Sequence, residues 1–475
     1  MLEQDLRPYQ LDALNKVRNS IKKNISCGRV VIPTGGGKTA VESFILKDRI
    51  KIFSGHNIHL ILAPRIALVN QLIKEYRDNA GNDYIALAFH SGNHEPDYTK
   101  VKWSEEATTK LEKLNEEFER AIKLDKDLVV FSTYHSADKL LNIEFDTLLC
   151  DESQYCVAKG FHEVVKNIKS TVKLFFTATE KHTTSIGRGL NNVAIYGEVI
   201  YKVEPKVLID SGYIVPPRLH AIYGKSSENF SSVVDESINI AKYQHIETTK
   251  TMEYSKILFA MNGTEDVAEI TENLKKIKKD LPEHDVFTIV SNAKYGAMVN
   301  GVKVNRNDFM KQLRESNNAL IFHYDILSEG IDIDGITGVS ILRNMNDSKL
   351  LQTIGRSVRI YKAHPEQKKQ ALISVTVINN DTENKENISK TIKAIRDGGY
   401  DVTIENIIFS DTAIKGLIKD DAIDDGYDDD RRKIAQQILQ DVLHELEEDS
   451  VFDELLTMDA DELLNEFDAI AGDVV

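Results

Sequence analysis

The sequence predicts an α/β protein: two tandem domains, each built on a parallel sheet, followed by a short acidic helical segment at the C-terminus. Three observations predict it. Short apolar runs alternate with helical stretches as far as about residue 400. These runs fall into two sets of five or six, separated by a proline-punctuated break. The excess of negative charge is confined to residues from Asp411 onward.

Taken in order, the first set of strands is Val30–Pro33, Leu60–Ala63, Ala86–Phe89, Leu128–Ser132, Thr147–Cys150 and Leu174–Thr177. Each is a short apolar run, the pattern of a strand covered on both faces. Tyr98–Lys126 is charged and helical in pattern and reads as a surface insertion before the Leu128 strand. The break lies near Lys206–Arg218, where Pro205, Pro216 and Pro217 interrupt the chain. A second set comes after it: Lys256–Ala260, Val286–Val290, Leu320–His323, Gly338–Leu342 and Leu372–Val377. Domains are therefore expected at 1–212, 213–410 and 411–475.

The acidic segment opens with seven aspartates among the eleven residues Asp420–Asp430. Beyond them Ile434, Ile438, Leu439, Val442, Leu443 and Leu446 recur at helical spacing, and Phe452, Leu455, Leu456, Leu463, Leu464 and Phe467 continue the stripe. Two amphipathic helices are expected. They suit a cap on the second domain, a docking element for a protein partner, or an acidic mimic that competes with nucleic acid.

Composition narrows the classes. At 475 residues, 41% hydrophobic and 28% charged, the chain is long enough for two or three domains with sizeable cores. It has no apolar run of about 18 residues, so no membrane partner is expected. The opening MLEQDLRPYQ lacks the basic and apolar regions of a secretory leader. Three cysteines, Cys27, Cys150 and Cys156, without a CxxC pair fit a reducing compartment, and a cytoplasmic location is expected. Net charge is −16, which argues against a polyanionic partner until its distribution is considered. Residues 411–475 hold 21 acidic and 5 basic residues, and the remaining body carries 54 of each sign. A balanced body leaves room for a local basic groove.

Two motifs carry chemistry. Val30–Pro33 runs into Thr34, Gly35, Gly36, Gly37, Lys38 and Thr39, then into a helical stretch. Strand, glycine-rich turn and helix is the context of a phosphate-binding loop. Glycines let backbone N–H groups curl around phosphates, at the positive end of the next helix. Lys38 would reach the β- and γ-phosphates of ATP, and the Thr39 hydroxyl would ligate Mg²⁺. The second motif is the strand Thr147–Cys150 ending in Asp151, Glu152, Ser153 and Gln154. Adjacent carboxylates at a strand's carboxyl end suit metal-assisted phosphoryl transfer. Asp151 would hold Mg²⁺ and Glu152 would orient and deprotonate the attacking water. A plain glycine turn and a plain polar turn are the bland alternatives.

With these residues in place, the chain resembles a superfamily 2 helicase or translocase of the DEAH-like, DNA-directed branch over about residues 6–380. Leu6-Arg7-Pro8-Tyr9-Gln10 looks like the adenine-reading element, which implies that Gln10 meets the base. Ala63–Gln71 looks like motif Ia and Ser132–Ser136 like motif Ib, which implies phosphate contacts by Arg65 and Thr133. Thr177-Ala178-Thr179 resembles motif III. Ile257–Asn262 resembles motif IV, with Asn262 on the nucleic acid. Ser328–Asp332 resembles motif V, which implies a nucleotide contact by Asp332. Gln352-Thr353-Ile354-Gly355-Arg356-Ser357-Val358-Arg359 fits the QxxGRxxR of motif VI, which implies catalytic roles for Gln352, Arg356 and Arg359. The resemblance implies two RecA-like domains. Two departures stand out: motif II ends in Ser153-Gln154 instead of Ala-Asp or Ala-His, and Tyr324 stands where many members carry Thr.

Motif VI also has a physical reading. Two arginines one turn apart on a helix would point the same way, and guanidinium groups suit charge developing on a transferring phosphoryl group. Supplied from the opposite domain, they would make hydrolysis depend on closure. Lesser features point to no second site. His90 and His94 lack a metal-ligand context, Glu383-Asn384-Lys385 is a common triplet, and Trp103 suits packing better than base stacking. The expected function is an ATP-driven, Mg²⁺-dependent nucleic-acid motor, a DNA helicase or branch-migration enzyme. The alternatives are a duplex translocase, an RNA helicase and an inactive nucleic-acid-binding scaffold.

Overall fold

The computed structural model describes residues 2–50, 56–91, 107–178, 180, 187–223, 233–290, 296–324, 333, 335–342, 347–361, 368–377, 389–393, 395–396, 398–400 and 408–409. The chain divides into two compact units, Met1–Glu204 and Pro205–Val475.

Among the described residues the first unit is built on seven strands: β1 Cys27–Val31, β2 Ile58–Ala63, β3 Tyr84–Phe89, β4 Asp127–Thr133, β5 Glu144–Cys150, β6 Lys169–Thr177 and β7 Glu198–Lys202. They lie in the order β3-β4-β2-β5-β6-β1-β7, and every pairing is parallel. The six strands expected from apolar runs are all present. The seventh escaped because β7 is an exposed edge strand with little apolar patterning. Because the strands are parallel, all their carboxyl ends open on one side of the sheet. The order then sets the ends of β5, β6 and β1 next to one another.

One expectation needs correction. The helix Leu111–Lys123, read as part of a surface insertion, buries Leu114, Glu117 and Ala121. It packs on β3 and β4 as the crossover between them. Its single polar interior residue hid that role: Glu117 is buried but paired with Lys113 and Arg120. Residues 92–106, with His94 and Trp103, lie outside the described residues.

Among the described residues the second unit holds nine strands: β8 Pro217–Tyr223, β9 Ser255–Ala260, β10 Asp285–Ile289, β11 Ala297–Val299, β12 Val302–Val304, β13 Asn318–His323, β14 Gly338–Ile341, β15 Ala371–Val377 and β16 Ile408–Phe409. Their order is β12-β11-β10-β13-β9-β14-β15-β8-β16. Only the β10-β11-β12 hairpins are antiparallel. The turn between β11 and β12 is Asn300-Gly301, both at positive φ, which suits a two-residue hairpin. Of the prolines that marked the break in the sequence, Pro205 opens the second unit just past β7, and Pro217 is the first residue of β8, where a missing N–H is tolerated.

No helix among the described residues is long and apolar enough to cross a membrane. The acidic segment 411–475, the motif V residues Ser328–Asp332 and the triplet 383–385 lie outside the described residues.

Candidate functional site

The loop after β1 is shaped by two glycines. Gly35 and Gly37 sit at φ 83° and 75°, in the left-handed region open to residues without a Cβ. Gly36 N–H donates to the Pro33 carbonyl at 2.9 Å, closing the turn. Gly37 then caps the helix Lys38–Arg49, so the helix's unpaired N–H groups face the loop. Gly37 has a second constraint: a Cβ there would stand 2.6 Å from Gln10 Nε2.

The N-terminal helix Pro8–Lys22 holds this loop from outside. Tyr9 hydroxyl donates to the Gly36 carbonyl at 2.6 Å. Gln10 Nε2 donates to the carbonyls of Gly36 at 3.0 Å and Gly37 at 3.2 Å, while its Oε1 accepts from the Arg7 N–H at 2.9 Å. The structure thus brings Gln10 to the loop, and Tyr9 joins it. In the sequence Tyr9 stands out only as a neighbour of Gln10.

The carboxyl end of β5 delivers the acidic pair. Asp151 N–H donates to the Leu62 carbonyl at 2.9 Å, and Tyr134 hydroxyl donates to the Asp151 carbonyl at 2.8 Å. Glu152 then adopts φ 49°, a left-handed conformation that is strained for a side chain with a Cβ. That turn aims Glu152 at the loop lysine, with Lys38 Nζ 3.6 Å from Glu152 Oε1. Gln154 Nε2 donates to Glu152 Oε2 at 2.7 Å. Thr177 hydroxyl, at the end of β6, donates to Gln154 Oε1 at 2.9 Å. An unbroken line therefore runs from the loop lysine through Glu152 and Gln154 to the first residue of the Thr177-Ala178-Thr179 stretch.

The electrostatics are lopsided. Burial, then the Glu152 charge, pushes the Asp151 carboxyl up to about 7, against the pull of Lys38 and of the Glu152 N–H. Glu42, one turn into the loop helix and fully buried, is held well above the carboxylate range by burial and then by Asp151. Its Oε2 accepts from the Tyr76 hydroxyl at 2.9 Å. Glu42 was missed in the sequence, though a lone carboxylate inside the apolar run Ala40–Leu46 was a visible signal. Three carboxyl groups thus crowd one ammonium. Asp151 and the Thr39 hydroxyl are the hard oxygen donors a magnesium ion prefers, and a dication would offset the surplus charge. The residues fit that ion.

The remaining positions fall on separate elements. Arg65 caps the helix Ile66–Ala80 and is half-buried. Thr133 ends β4, and its hydroxyl is engaged with Ser136 at 3.1 Å. In the second unit Asn262 is exposed just past β9, its N–H on Asp266 Oδ2 at 3.1 Å. Gln352 lies on the helix Asp347–Ser357, its side chain outside the described residues.

Motif VI requires a correction. Arg356 is buried in the last turn of that helix, but the helix stops at Ser357 and Arg359 lies beyond it. Arg359 instead forms an isolated antiparallel bridge with Ile214. The two arginines therefore do not share a helix face. The carbonyls at this end of the helix are held by partners outside it. Lys368 Nζ takes those of Ser357 and Arg359, and Val215 N–H takes that of Val358 at 2.8 Å.

His90 sits beside Asn70 Oδ1 at 3.3 Å, and no cluster of three or more metal-ligating side chains occurs among the described residues. Cys150 and Cys156 are buried free thiols.

Residues 3–182 match the family model described as the type III restriction enzyme, res subunit. The chain is 21% identical over 388 residues to IRC3 of Saccharomyces cerevisiae, whose name describes an ATP-dependent helicase. That match covers 75% of this chain and 50% of the yeast protein. Two solved structures share the fold. The type ISP restriction-modification enzyme LlaBIII bound to DNA superposes with a TM-score of 0.65 at 15% identity, over 85% of this chain and 31% of that one. A nuclease-deletion mutant of the type ISP enzyme LlaGI, in complex with a DNA substrate mimic, gives 0.62 at 18%, over 94% and 34%. The chain thus spans half the length of the yeast relative and about a third of each restriction enzyme. The resemblance to superfamily 2 helicases is borne out, and with it the α/β architecture of RecA-like parallel sheets.

Proposed function

We propose that this chain is an ATP-driven nucleic-acid motor, acting on DNA ahead of RNA, as a helicase or branch-migration enzyme. One observation carries the reading: the line Lys38–Glu152–Gln154–Thr177 ties the phosphate loop to the acidic pair and to the motif III residue. Lys38 and the loop amides bind the β- and γ-phosphates of ATP. Thr39 and Asp151 hold Mg²⁺, which neutralises phosphate charge when bound. Glu152 orients the attacking water and takes its proton, and its aim is set by Gln154 on one oxygen and Lys38 near the other. Arg356 and Arg359 stabilise the charge that develops on the phosphoryl group.

Gln154 gives coupling a physical route. When Glu152 turns to the water, its bond to Gln154 must change, and Thr177 feels the change through Gln154 Oε1. Arg65, Thr133 and Asn262 contact the strand's phosphates. The preference for DNA draws on the two structural relatives, both bound to DNA or a DNA mimic. Turnover of ATP measured in parallel with single-stranded DNA, duplex DNA, forked DNA and RNA tests the reading. Stimulation by DNA is the expected outcome. Stimulation by RNA alone would reassign the substrate, and no stimulation by any polymer would reject the motor.

A further inference from the structure

We infer that Lys368 is a positioning residue for the motif VI arginines: it ends their helix and sets where Arg359 stands relative to Arg356. The inference rests on the role proposed for those arginines in ATP turnover. Lys368 is 2% exposed, just ahead of β15. Burying an ammonium is costly unless its donors are used. Here they go to main-chain carbonyls, that of Ser357 and that of Arg359, the latter at 2.6 Å. A cation at a helix's carboxyl end also suits the helix dipole and its orphan carbonyls.

The consequence is geometric. In a continuing helix the Ser357 carbonyl would accept from the N–H four residues later. With the Lys368 ammonium on it, and with Val215 N–H on the Val358 carbonyl, no acceptor is left there for a further helical turn. Ser357 reinforces the stop by donating its own hydroxyl to the Ile354 carbonyl at 2.7 Å. Arg356 stays in the last turn, while Arg359 is delivered to the bridge with Ile214. Two arginines three residues apart thereby stand one in the helix and one beyond it, and Lys368 touches the main chain on both sides of that step, at Ser357 and at Arg359.

Lys256 shows that the carbonyl-capping chemistry recurs in this unit without the same consequence. It is also 2% exposed, and its Nζ donates to the Leu313 and Arg314 carbonyls at 3.0 and 3.3 Å, at the end of the helix Arg306–Glu315. There the helix ends at Glu315 with no arginine just beyond it. Lys368 differs because a motif arginine stands two residues past the helix it caps.

The test compares steady-state ATP turnover and melting temperature of full-length Lys368→Met, Lys368→Gln, Lys368→Arg, Arg359→Ala and Phe309→Leu. Phe309 is fully buried in the same unit and in none of the motifs, so its variant reports loss of stability alone. The expected result is a fall in kcat of about tenfold or more for Lys368→Met, since small misplacements of a catalytic group are that costly. KM for ATP should stay within about twofold, because the ground state is bound elsewhere. Lys368→Arg should recover part of the loss and Lys368→Gln less. If Lys368→Met does not fold, the ranking of Lys, Arg and Gln in kcat carries the test. Wild-type kcat in the folded variants, or a loss no larger than that of Phe309→Leu at equal melting temperature, would overturn the inference. If Arg359→Ala itself turns over at the wild-type rate, the fault lies in the role given to the arginines.

Discussion

The two ends of the first unit's sheet hold two buried charge clusters of opposite character. At the carboxyl ends Glu42, Asp151 and Glu152 face Lys38, and acid outnumbers base. At the amino ends Arg49, His59, Asp127 and Asp146 form a second cluster, in which each carboxylate has hydrogen-bond partners. Arg49 meets Asp146 through Nη2 at 2.7 Å and Nε at 3.1 Å. His59 lies between Asp127 Oδ2 at 3.4 Å and Asp146 Oδ2 at 3.6 Å. Thr147 hydroxyl donates to Asp146 at 2.6 Å, and Asn57 N–H donates to Asp127 at 3.0 Å.

Both clusters are buried, so burial does not separate a site from a brace. Balance does. The amino-end cluster gives each of its carboxylates a hydrogen-bond partner and stitches β2, β4 and β5 together. The carboxyl-end cluster leaves Asp151 pushed up to about 7 and Glu42 held well above the carboxylate range, a deficit that a cation would fill. Backbone strain respects the same division, for Glu152 at φ 49° belongs to the unbalanced cluster.

The largest effects that probe this contrast are on turnover. Lys38→Ala should lower kcat by more than about 100-fold by removing phosphate stabilisation. Glu152→Gln should keep ATP binding and lose a similar factor with its general base. Wild-type turnover in Glu152→Gln would remove motif II from the mechanism.

The next effect is on stability. Asp146→Ala leaves Arg49 buried against a missing partner and should cost about 3–5 kcal/mol in chemical denaturation, with kcat of the folded fraction unchanged. Glu152→Gln should leave the melting temperature the same or raise it, since it relieves Asp151. Destabilisation by both variants would erase the distinction between the clusters.

Gln154→Ala should cut the line between Glu152 and Thr177. About tenfold less stimulation by nucleic acid is expected, with unstimulated turnover less affected. Equal loss of both would make Gln154 a support for Glu152 alone.

The smallest effect concerns pH. In the second unit His284 is 1% exposed, its ring 4.6 Å from that of His245. Burial, then His245 and Lys278, lower its pKa from 6.5 to about 4, against the opposing charge of Asp285. Between those values the unfolded chain holds the extra proton. This contribution to stability is therefore present above pH 6.5 and is lost as pH falls through about 4, at up to about 1 kcal/mol per pH unit. His284→Phe should flatten that slope, and an unchanged slope would place the titration elsewhere.

Much of this was legible in the residues. Eleven strands were visible as apolar runs because a parallel strand covered on both faces is mostly apolar along its length. The loop Thr34–Thr39 and the pair Asp151–Glu152 were visible because phosphate and metal chemistry restrict residue type over a few adjacent positions. The strands that escaped, β7, β8, β11, β12 and β16, are edge strands, short pieces or, in β8, a strand opened by a proline. The crossover helix Leu111–Lys123 was hidden because Glu117 is buried yet paired.

By itself the sequence determined which local pieces exist: strands, the glycine turn, the carboxylate pair and the motif order, all set by interactions among near neighbours. Only the tertiary structure decided which pieces meet. The order β5-β6-β1 put Gln154 between Glu152 and Thr177, and Lys368 and Val215 took the carbonyls that end the motif VI helix. Those partners are 23, 11 and 143 residues from the groups they hold, measured from Thr177 to Gln154, Lys368 to Ser357 and Val215 to Val358. Periodicity reads the few residues around a position, while a hydrogen bond to a distant carbonyl depends on how the whole sheet is wound.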